Sequence, residues 1–312
     1  MKHNPWITYL TKIGVFKDVL SCEPITLGSG GAKLFIVTDE SKRYVLKVSH
    51  KSFRDTADFM KSYEKELMFY QLNKQLKLPY IPNVIYSENH PEHGILLVMD
   101  CYLPIAHNEW NLTLQKQAVD LCAKFNSTPL ELAKPLGLQY TPVQINKEFT
   151  HNSYLAWVEV LNEHGDKFDR KLLDKMYKNI EIVCTVLNQN PQYLCHGDFH
   201  PENVLYDGEQ MYICDWQGVH IGKSVGDFSF FLSRGMGFGI RMPEDTLLDY
   251  YVERLSEYTG TQIDKTTLLK EKAASNLLVT FSHWANYLKG CPYETVAGHF
   301  NGMVTDYFLL CK

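Results

Sequence analysis

The sequence lacks the features that mark disulfide-rich, zinc-binding and membrane-spanning proteins. Among its 312 residues are eight cysteines, none in a Cys-x-x-Cys pair or at a spacing typical of a zinc site. No apolar run reaches the length of a membrane-spanning helix. Residues 1–20 hold no continuous apolar core of a signal peptide. We therefore expect a reduced, cytoplasmic protein with no membrane partner.

An excess of positive charge is also missing. The formal net charge is -5 at pH 7, so no basic footprint points to a nucleic acid or an anionic membrane surface. The chain holds no internal repeat, low-complexity tract or block of like charges. With 45% hydrophobic residues it can bury a large core, which favours one or two globular domains. No feature of the sequence points to an oligomeric state.

What the sequence does contain is a cluster of polar residues typical of phosphoryl transfer. His196-Gly-Asp198-Phe-His-Pro-Glu-Asn203 is followed, twelve residues after the asparagine, by Asp215-Trp216. Transfer of a γ-phosphoryl group requires a group that orients the acceptor hydroxyl, and Asp198 is the candidate. Mg²⁺ prefers hard oxygen ligands and keeps several waters, so one carboxylate and one amide oxygen suffice. Asp215 and Asn203 are the candidate metal ligands.

The flanking residues place these ligands on a hairpin. Residues 204–206 and 211–214 are apolar and read as strands, and Asp207-Gly208 between them is a pair that turns hairpins. Asn203 then precedes the first strand and Asp215 follows the second. The sequence therefore predicts that both metal ligands lie at the open end of one hairpin.

His196-Gly-Asp198-x-His-Pro-x-Asn203, followed by Ile213-Cys-Asp215-Trp, resembles the aminoglycoside phosphotransferase and choline kinase family, small-molecule relatives of the eukaryotic protein kinases. The resemblance is strong over about residues 190–232, fair over 23–102 and only topological elsewhere. It implies an α+β, bilobal, protein-kinase-like fold, with a small antiparallel β lobe and hinge in residues 1–102 and a mainly helical lobe in residues 103–312. It also implies Mg²⁺ with ATP or GTP as phosphoryl donor, and a small-molecule hydroxyl as acceptor.

The N-terminal third fits a nucleotide lobe. Residues 23–48 read as strand, glycine-rich turn, strand, turn and strand, with Lys47 inside the third apolar run. A lysine buried in a strand requires a paired charge, and ATP phosphates with a helix carboxylate would supply it. Lys47 thus resembles the lysine of the kinase V-A-I-K strand. If the turn covers the triphosphate, the donors include the hydroxyl of Ser29 and the backbone amides of Ser29, Gly30 and Gly31; alternatively it is only a hairpin turn.

Two further nucleotide contacts follow from the resemblance. Residues 55–78 have helical periodicity, and Glu64 or Glu66 could pair with Lys47. Glu66-Leu-Met-Phe-Tyr resembles the family's stretch at this place, so Glu66 is the prediction, although most helix glutamates are solvated. Asp100-Cys-Tyr102 would form the interlobe hinge, where the backbone of Asp100 and Tyr102 reads the adenine edge.

Several residues have alternative interpretations. His196, Asp198 and His200 alternate along the chain and could hold a transition metal, but the other histidines stand apart; His196 is more simply a scaffold residue of the loop. Asp227 could cap a helix, and the resemblance adds that an aspartate here ties down the catalytic loop. The chain retains Lys47, Asp198, Asn203 and Asp215 together, which favours an enzyme over the alternative, a nucleotide-binding pseudokinase or interaction module.

The prediction of the acceptor rests on aromatic residues and on net charge. Ten aromatic residues of the C-terminal part, with the acidic balance, suit an amine-bearing alcohol or amino sugar, although helix packing explains most of them equally; they are Tyr154, Trp157, Trp216, Phe281, Trp284, Tyr287, Tyr293, Phe300, Tyr307 and Phe308. Gln217 stands where relatives often place an acid, and the C-terminal Leu-Leu-Cys-Lys312 has no acidic tail. Both departures disfavour a specific aminoglycoside assignment.

Overall fold

The first hundred residues form a five-stranded antiparallel sheet. The computed structural model describes residues 4–25, 31–40, 42–53, 57–189 and 191–312. The strands are β1 (Val19–Ile25), β2 (Lys33–Asp39), β3 (Lys42–Ser49), β4 (Val84–His90) and β5 (Gly94–Asp100). Their order is β1-β2-β3-β5-β4, with every neighbouring pair antiparallel. The apolar run of β5 is buried between β3 and β4, and it places Leu97 opposite Lys47.

Two helices pack on this sheet. Helix α1 (Pro5–Lys12) begins at Asn4, whose side-chain oxygen accepts the amides of Trp6 and Ile7, and it buries Leu10 on the sheet. The sequence had not indicated this helix. Helix α2 (Ala57–Leu76) follows β3, close to the predicted range of residues 55–78, and buries a face at Tyr63, Leu67 and Tyr70.

The rest of the chain is mainly helical. Short strands form two small ladders, with β6 (Leu103–Pro104), β8 (Val204–Tyr206) and β9 (Met211–Ile213) in one, and β7 (Tyr193–Cys195) and β10 (His220–Gly222) in the other. The helices are α3 (Leu112–Asn126), α4 (Lys147–Asn162), α5 (Arg170–Lys178), α6 (Ile182–Leu187), α7 (Val225–Gly237), α8 (Glu244–Thr259), α9 (Lys265–Val279), α10 (Ala285–Leu288) and α11 (Tyr293–Leu310). The predicted α+β class is confirmed.

Two long helical stretches of the C-terminal part are interrupted. Residues 166–188 form α5 and α6 rather than one helix, because Asn179 ends α5 and its side-chain amide donates to Lys175 O at 2.8 Å. Residues 265–289 contain one π-helical turn, Thr280–Trp284. The turn is stabilised from α4, where Trp157 Nε1 donates to Phe281 O and Ser153 Oγ donates to Ser282 O, both at 3.0 Å.

The largest cluster of buried apolar side chains includes residues from both parts of the chain. It runs from Phe59, Tyr63 and Met99 on the sheet side to Trp216 and Phe231 among the later elements. In the described ranges, no helix has both the length and the apolar character needed to cross a membrane. All eight cysteine thiols are free.

Candidate active site

The loop between β7 and β8, residues 196–203, is held by a carboxylate from beneath. Asp227 Oδ2 accepts the amide of His196 and Asp227 Oδ1 accepts the amide of Gly197, each at 2.8 Å. Asp227 lies in the first turn of α7 and is 3% exposed, but Ser224 is the residue before that helix and Asp227 does not cap it. The Asp227 carboxylate therefore accepts hydrogen bonds from the loop and does not cap its own helix.

Gly197 allows this loop to pass close to another backbone segment. Its φ is +83°, in the left-handed region that favours glycine, and a Cβ there would lie 2.3 Å from Gly218 O. The loop thus packs directly on the segment that follows Asp215. A side chain at position 197 would separate the two segments.

His196 joins the same two segments. Its ring is fully buried, with Nε2 2.9 Å from Cys214 O and Nδ1 accepting the amide of Asp198 at 3.2 Å. The two bonds require a neutral ring that carries its proton on Nε2, and burial lowers the pKa of His196, which favours this neutral form. With both nitrogens engaged, His196 has no lone pair for a metal. No cluster of three or more metal-binding side chains occurs within the ranges that the structure describes.

Asn203 orients the loop around Asp198. Its side-chain amide donates to Asp198 O at 2.8 Å and to Asp198 Oδ2 at 3.2 Å. The amide oxygen of Asn203 has no donor among the described residues and remains available as a ligand. The Asp198 side chain is 44% exposed, and His200 Nε2 lies 3.7 Å from its Oδ2. The Asp198 carboxylate is therefore accessible from solvent.

The hairpin of β8 and β9 brings Asn203 and Asp215 to the same end, as predicted from the flanking residues. Asp207 Oδ1 accepts the amides of Glu209 and Gln210 at 2.8 and 2.7 Å, which closes the turn. At the open end, the Cys214 amide donates to Asn203 O at 3.1 Å. Asp215 follows with φ 66° and ψ 67°, a left-handed conformation that is uncommon outside glycine.

Lys47 links the sheet to this hairpin through three charges. Its Nζ lies 2.8 and 2.9 Å from the two oxygens of Glu66 and 3.0 Å from Asp215 Oδ1. Lys47 and Glu66 are buried, whereas the Asp215 side chain is 31% exposed. Glu64, the other glutamate that the sequence offered, is exposed. Position 66 lies on the buried face of α2 with Tyr63 and Tyr70, and position 64 does not.

The pKa shifts follow from burial and from the opposite charges. Burial alone would lower the pKa of Lys47, but Asp215 and Glu66 outweigh it and raise that pKa. Burial raises the pKa of Glu66 to about 7, against the opposing effect of Lys47. Burial would also raise the pKa of Asp215, but Lys47 outweighs it and the pKa is lowered. The exposed edge of the group is thus a carboxylate anion.

Gln217 donates from Nε2 to the same oxygen of Asp215 that Lys47 contacts. Asp215 Oδ2 has no donor in the described part of the chain. The two oxygens are therefore in different environments: Oδ1 is held by protein groups and Oδ2 is left for another ligand. Sequence reasoning registered Gln217 only as a departure from the family pattern.

The remaining predicted nucleotide contacts lie at the edge of the sheet or outside the described residues. Ser29 and Gly30 fall outside those residues. Gly31 has φ +86°, and a Cβ there would lie 2.9 Å from the Phe59 ring. The amides of Asp100 and Cys101 donate to Asn83 O and Arg43 O, at 3.0 and 3.3 Å. Tyr102 stacks on Tyr212 at 4.1 Å, and its amide has no acceptor within the described ranges.

Two residues of the site escaped sequence reasoning altogether, Asn126 and Tyr251. Both are buried and connect to Asp227, and Asn126 donates to its Oδ2 at 3.0 Å. Asn126 is the last residue of α3, where it follows an apolar stripe. A polar residue that continues a buried face was the available signal.

The chain is similar to known proteins in both sequence and structure. The phosphotransferase enzyme family, APH, matches residues 21–261. A search of curated proteins gave no significant match. Similar solved structures include the GDP complex of wild-type aminoglycoside 2′-phosphotransferase-IIIa, with 14% identity, coverage of 96% of this chain and 97% of that chain, and a TM-score of 0.58.

Two further structures have the same fold. Spectinomycin phosphotransferase APH(9)-Ia, solved with ADP and spectinomycin, is 16% identical, with coverage of 98% and 97% and a TM-score of 0.58. Plasmodium vivax ethanolamine kinase is 13% identical, with coverage of 96% of this chain and 87% of that chain and a TM-score of 0.59. At these identities the likeness establishes the fold, and the predicted protein-kinase-like architecture is confirmed. Because the family match spans residues 21–261, well over half of the 312 residues, the chain belongs to the phosphotransferase enzyme family, as its resemblance at residues 196–216 predicted.

Proposed function

We propose that this phosphotransferase moves the γ-phosphoryl group of ATP or GTP, with Mg²⁺, to a hydroxyl group of a small molecule. The observation that carries the proposal is the ion pair that joins Lys47 of the sheet to Asp215 of the hairpin, at 3.0 Å. It sets a buried cation beside a carboxylate, and Asn203, which orients the Asp198 loop, lies at the same end of that hairpin. Cation, metal ligands and acceptor-orienting carboxylate are the parts that phosphoryl transfer requires.

The nucleotide would lie between the lobe of residues 1–102 and the lobe of residues 103–312. Lys47 would contact its phosphates, while Glu66 holds the ammonium in place. Ser29, Gly30 and Gly31 are proposed to cover the phosphates with backbone donors. At the hinge, the proposed contacts with the base are the carbonyl of Asp100 and the amide of Tyr102, which has no acceptor among the described residues.

The residues present fit a hard divalent cation. Asp215 Oδ2 and the amide oxygen of Asn203 are both potential oxygen ligands, and neither accepts a hydrogen bond from a described residue. Lys47 keeps Asp215 ionised. Asp215 and Asn203 would hold the ion, and the ion when bound would neutralise charge on the phosphate oxygens. Lys47 and Gln217 orient Asp215 by holding its other oxygen.

Asp198 would orient the acceptor hydroxyl and take its proton. As the hydroxyl oxygen forms its bond to the γ-phosphorus, the bond from that phosphorus to the bridging oxygen breaks, and the nucleoside diphosphate leaves. The exposed carboxylate of Asp198 can reach a small molecule, and Asn203 fixes its position through Oδ2.

For the acceptor we propose an amine-bearing alcohol or amino sugar. The neighbouring structures support this class, since kanamycin and spectinomycin are bound in two of them and a third is an ethanolamine kinase. The net charge of -5 is compatible with a cationic acceptor. The aromatic residues give less support than their number suggests, because Trp157, Trp216 and Phe281 are fully buried in the core.

The test is a coupled assay with MgATP and MgGTP against choline, ethanolamine, amino sugars, aminoglycosides and neutral sugars. We expect turnover with an amine-bearing acceptor, and loss of about 10²-fold or more in kcat for Asp198→Asn, with nucleotide affinity nearly unchanged because the side chain acts on the acceptor. Asp215→Asn should instead weaken Mg-nucleotide binding. Asp264→Asn, at the exposed start of α9, is the matched control.

Each alternative has its own outcome in this assay. Turnover confined to neutral or anionic acceptors would refute the proposal of an amine-bearing acceptor, while the proposal of a small-molecule kinase would stand. If the Asp198→Asn variant turns over at the wild-type rate, Asp198 does not orient the acceptor hydroxyl or take its proton. Nucleotide binding seen as thermal stabilisation, with no turnover against any acceptor, favours the binding module over the enzyme.

A further inference from the structure

A buried hydrogen-bond network continues beneath the catalytic loop beyond Asp227. Asn126, at the end of α3, is 1% exposed, and its side-chain amide donates to Leu194 O at 2.9 Å and to Asp227 Oδ2 at 3.0 Å. Leu194 belongs to β7, the strand that leads into the loop. Asn126 therefore contacts the strand and the carboxylate on which the loop rests.

Tyr251 completes the network from α8. Its hydroxyl donates to Asn126 Oδ1 at 2.8 Å, and its ring, which is fully buried, stacks on Phe228 of α7 at 4.9 Å. Cys122 Sγ is a second, weaker donor to the same oxygen, at 3.3 Å. Burial raises the pKa of Tyr251, so the hydroxyl keeps its proton and remains a donor.

The direction of the donors decides how Asn126 is oriented. Two donors at Oδ1 leave the NH₂ group to face Asp227, whereas a flipped amide would turn its oxygen toward the carboxylate. With Asn126 bound to Oδ2, the carboxylate keeps the orientation in which Oδ2 accepts the amide of His196 and Oδ1 accepts that of Gly197. In a buried site each of these bonds strengthens the next, and an unpaired member is costly.

We propose that Asn126 and Tyr251 are positioning residues for phosphoryl transfer, which hold Asp227 in the orientation that fixes residues 196–198 of the catalytic loop. This inference rests on the proposed function of Asp198. Neither residue touches a substrate, because both are buried below the loop. Their effect reaches the reaction only through the placement of the Asp198 backbone.

The experiment compares three variants. Tyr251→Phe removes one hydroxyl and keeps the ring that stacks on Phe228. Asn126→Leu removes both donor bonds with a side chain of similar size. Tyr80→Phe is the matched control, since Tyr80 is a buried tyrosine whose hydroxyl lies 3.3 Å from Thr128 Oγ1 and outside the network.

Two readouts are needed, one of them independent of activity. Hydrogen exchange at the amides of His196 and Gly197, followed by NMR, should accelerate roughly tenfold in Tyr251→Phe and more in Asn126→Leu, since the bonds that protect them weaken. With the acceptor found in the screen, kcat should fall by roughly tenfold or more while the nucleotide Kd stays within about twofold. Tyr80→Phe should leave both readouts at the wild-type level.

Unchanged exchange at these two amides in Tyr251→Phe, or an equal change in the Tyr80→Phe control, would overturn the inference. So would faster exchange in Tyr251→Phe with kcat intact. If Asn126→Leu does not fold, Tyr251→Phe decides alone, because its ring keeps its packing. A wild-type protein without phosphotransfer would refute the proposed function, while the exchange data would still show whether the network holds the loop.

Discussion

Three charges meet at Lys47 in a space that is largely closed to water. The ammonium contacts the carboxylates of both Glu66 and Asp215. Glu66 is the buried partner, so its loss would leave Lys47 with Asp215 as its only counter-charge among the described residues. Breaking a buried pair is costly because a desolvated charge remains without full compensation.

At this scale we predict that Glu66→Ala lowers the free energy of unfolding by about 3 kcal/mol, since a buried partner of Lys47 is removed. Nucleotide affinity should fall as well, because Glu66 no longer holds the ammonium in place. Urea unfolding at pH 7 and titration with MgATP measure the two effects. Glu64→Ala, on the exposed face of the same helix, should change stability by less than about 0.5 kcal/mol. Equal losses in the two variants would contradict this account of Lys47.

The sequence predicted which residue types come together around Lys47, but it predicted few of the contacts between them. Lys47 was recognisable because a lone lysine in an apolar strand demands a partner, and Glu66 was preferred only through the family resemblance. The left-handed backbone of Asp215 left no trace in the sequence, since aspartate adopts many conformations. Asn126 continues the apolar stripe of α3, but the sequence does not show which group a polar side chain on that face would bond, and neither Asn126 nor Tyr251 was identified from it.

At the scale of elements, the loop of residues 196–203 and the hairpin of β8 and β9 are held against each other by backbone contact. Gly197 lies against Gly218, and His196 bonds to Cys214 O, so each segment limits the movement of the other. The strands and helices around them were largely predictable from periodicity. The breaks at Asn179 and at residues 280–284 were not, because side chains from elsewhere, or local caps, satisfy the backbone groups there.

We predict that Gly197→Ala loses most phosphotransfer activity and lowers stability by about 2–4 kcal/mol, the sum of a strained φ and a backbone collision. Gly208→Ala is the control for strain alone. Its φ is also positive, at +104°, but nothing lies within 4 Å of the added Cβ. It should cost about 1–2 kcal/mol and keep kcat near wild type. Thermal unfolding and the acceptor assay compare the two. A Gly197→Ala enzyme no worse than Gly208→Ala would show that the close approach is unimportant.

Across the whole molecule, Trp216 joins the N-terminal and C-terminal parts of the chain through helices α2 and α3. Trp216 is fully buried, stacks on Phe69 of α2 at 4.0 Å, and meets Phe125 of α3 edge-on at 4.7 Å. The apolar cluster around it contains residues from the sheet side and from the helices. A shared core of this kind favours unfolding as one unit.

We therefore predict a single unfolding transition for the wild-type chain, with far-UV circular dichroism and tryptophan fluorescence coincident. Trp216→Ala should lower the free energy of unfolding by about 3–5 kcal/mol. It should also give different midpoints for the circular dichroism and fluorescence curves, because the contact shared by the two parts of the chain is lost. Trp284→Ala, at a residue that is 39% exposed, should cost less than about 1 kcal/mol and keep one transition. Two transitions in the wild type would contradict a shared core.

The left-handed backbone at Asp215 also bears on how such a chain can lose its activity over generations. Only glycine, asparagine and aspartate adopt that conformation readily, so most replacements harm folding as well as chemistry. Asparagine is one nucleotide change away from aspartate and so is glycine. A duplicated copy released from selection for turnover, but still selected to fold, would thus carry asparagine or glycine at this position more readily than alanine.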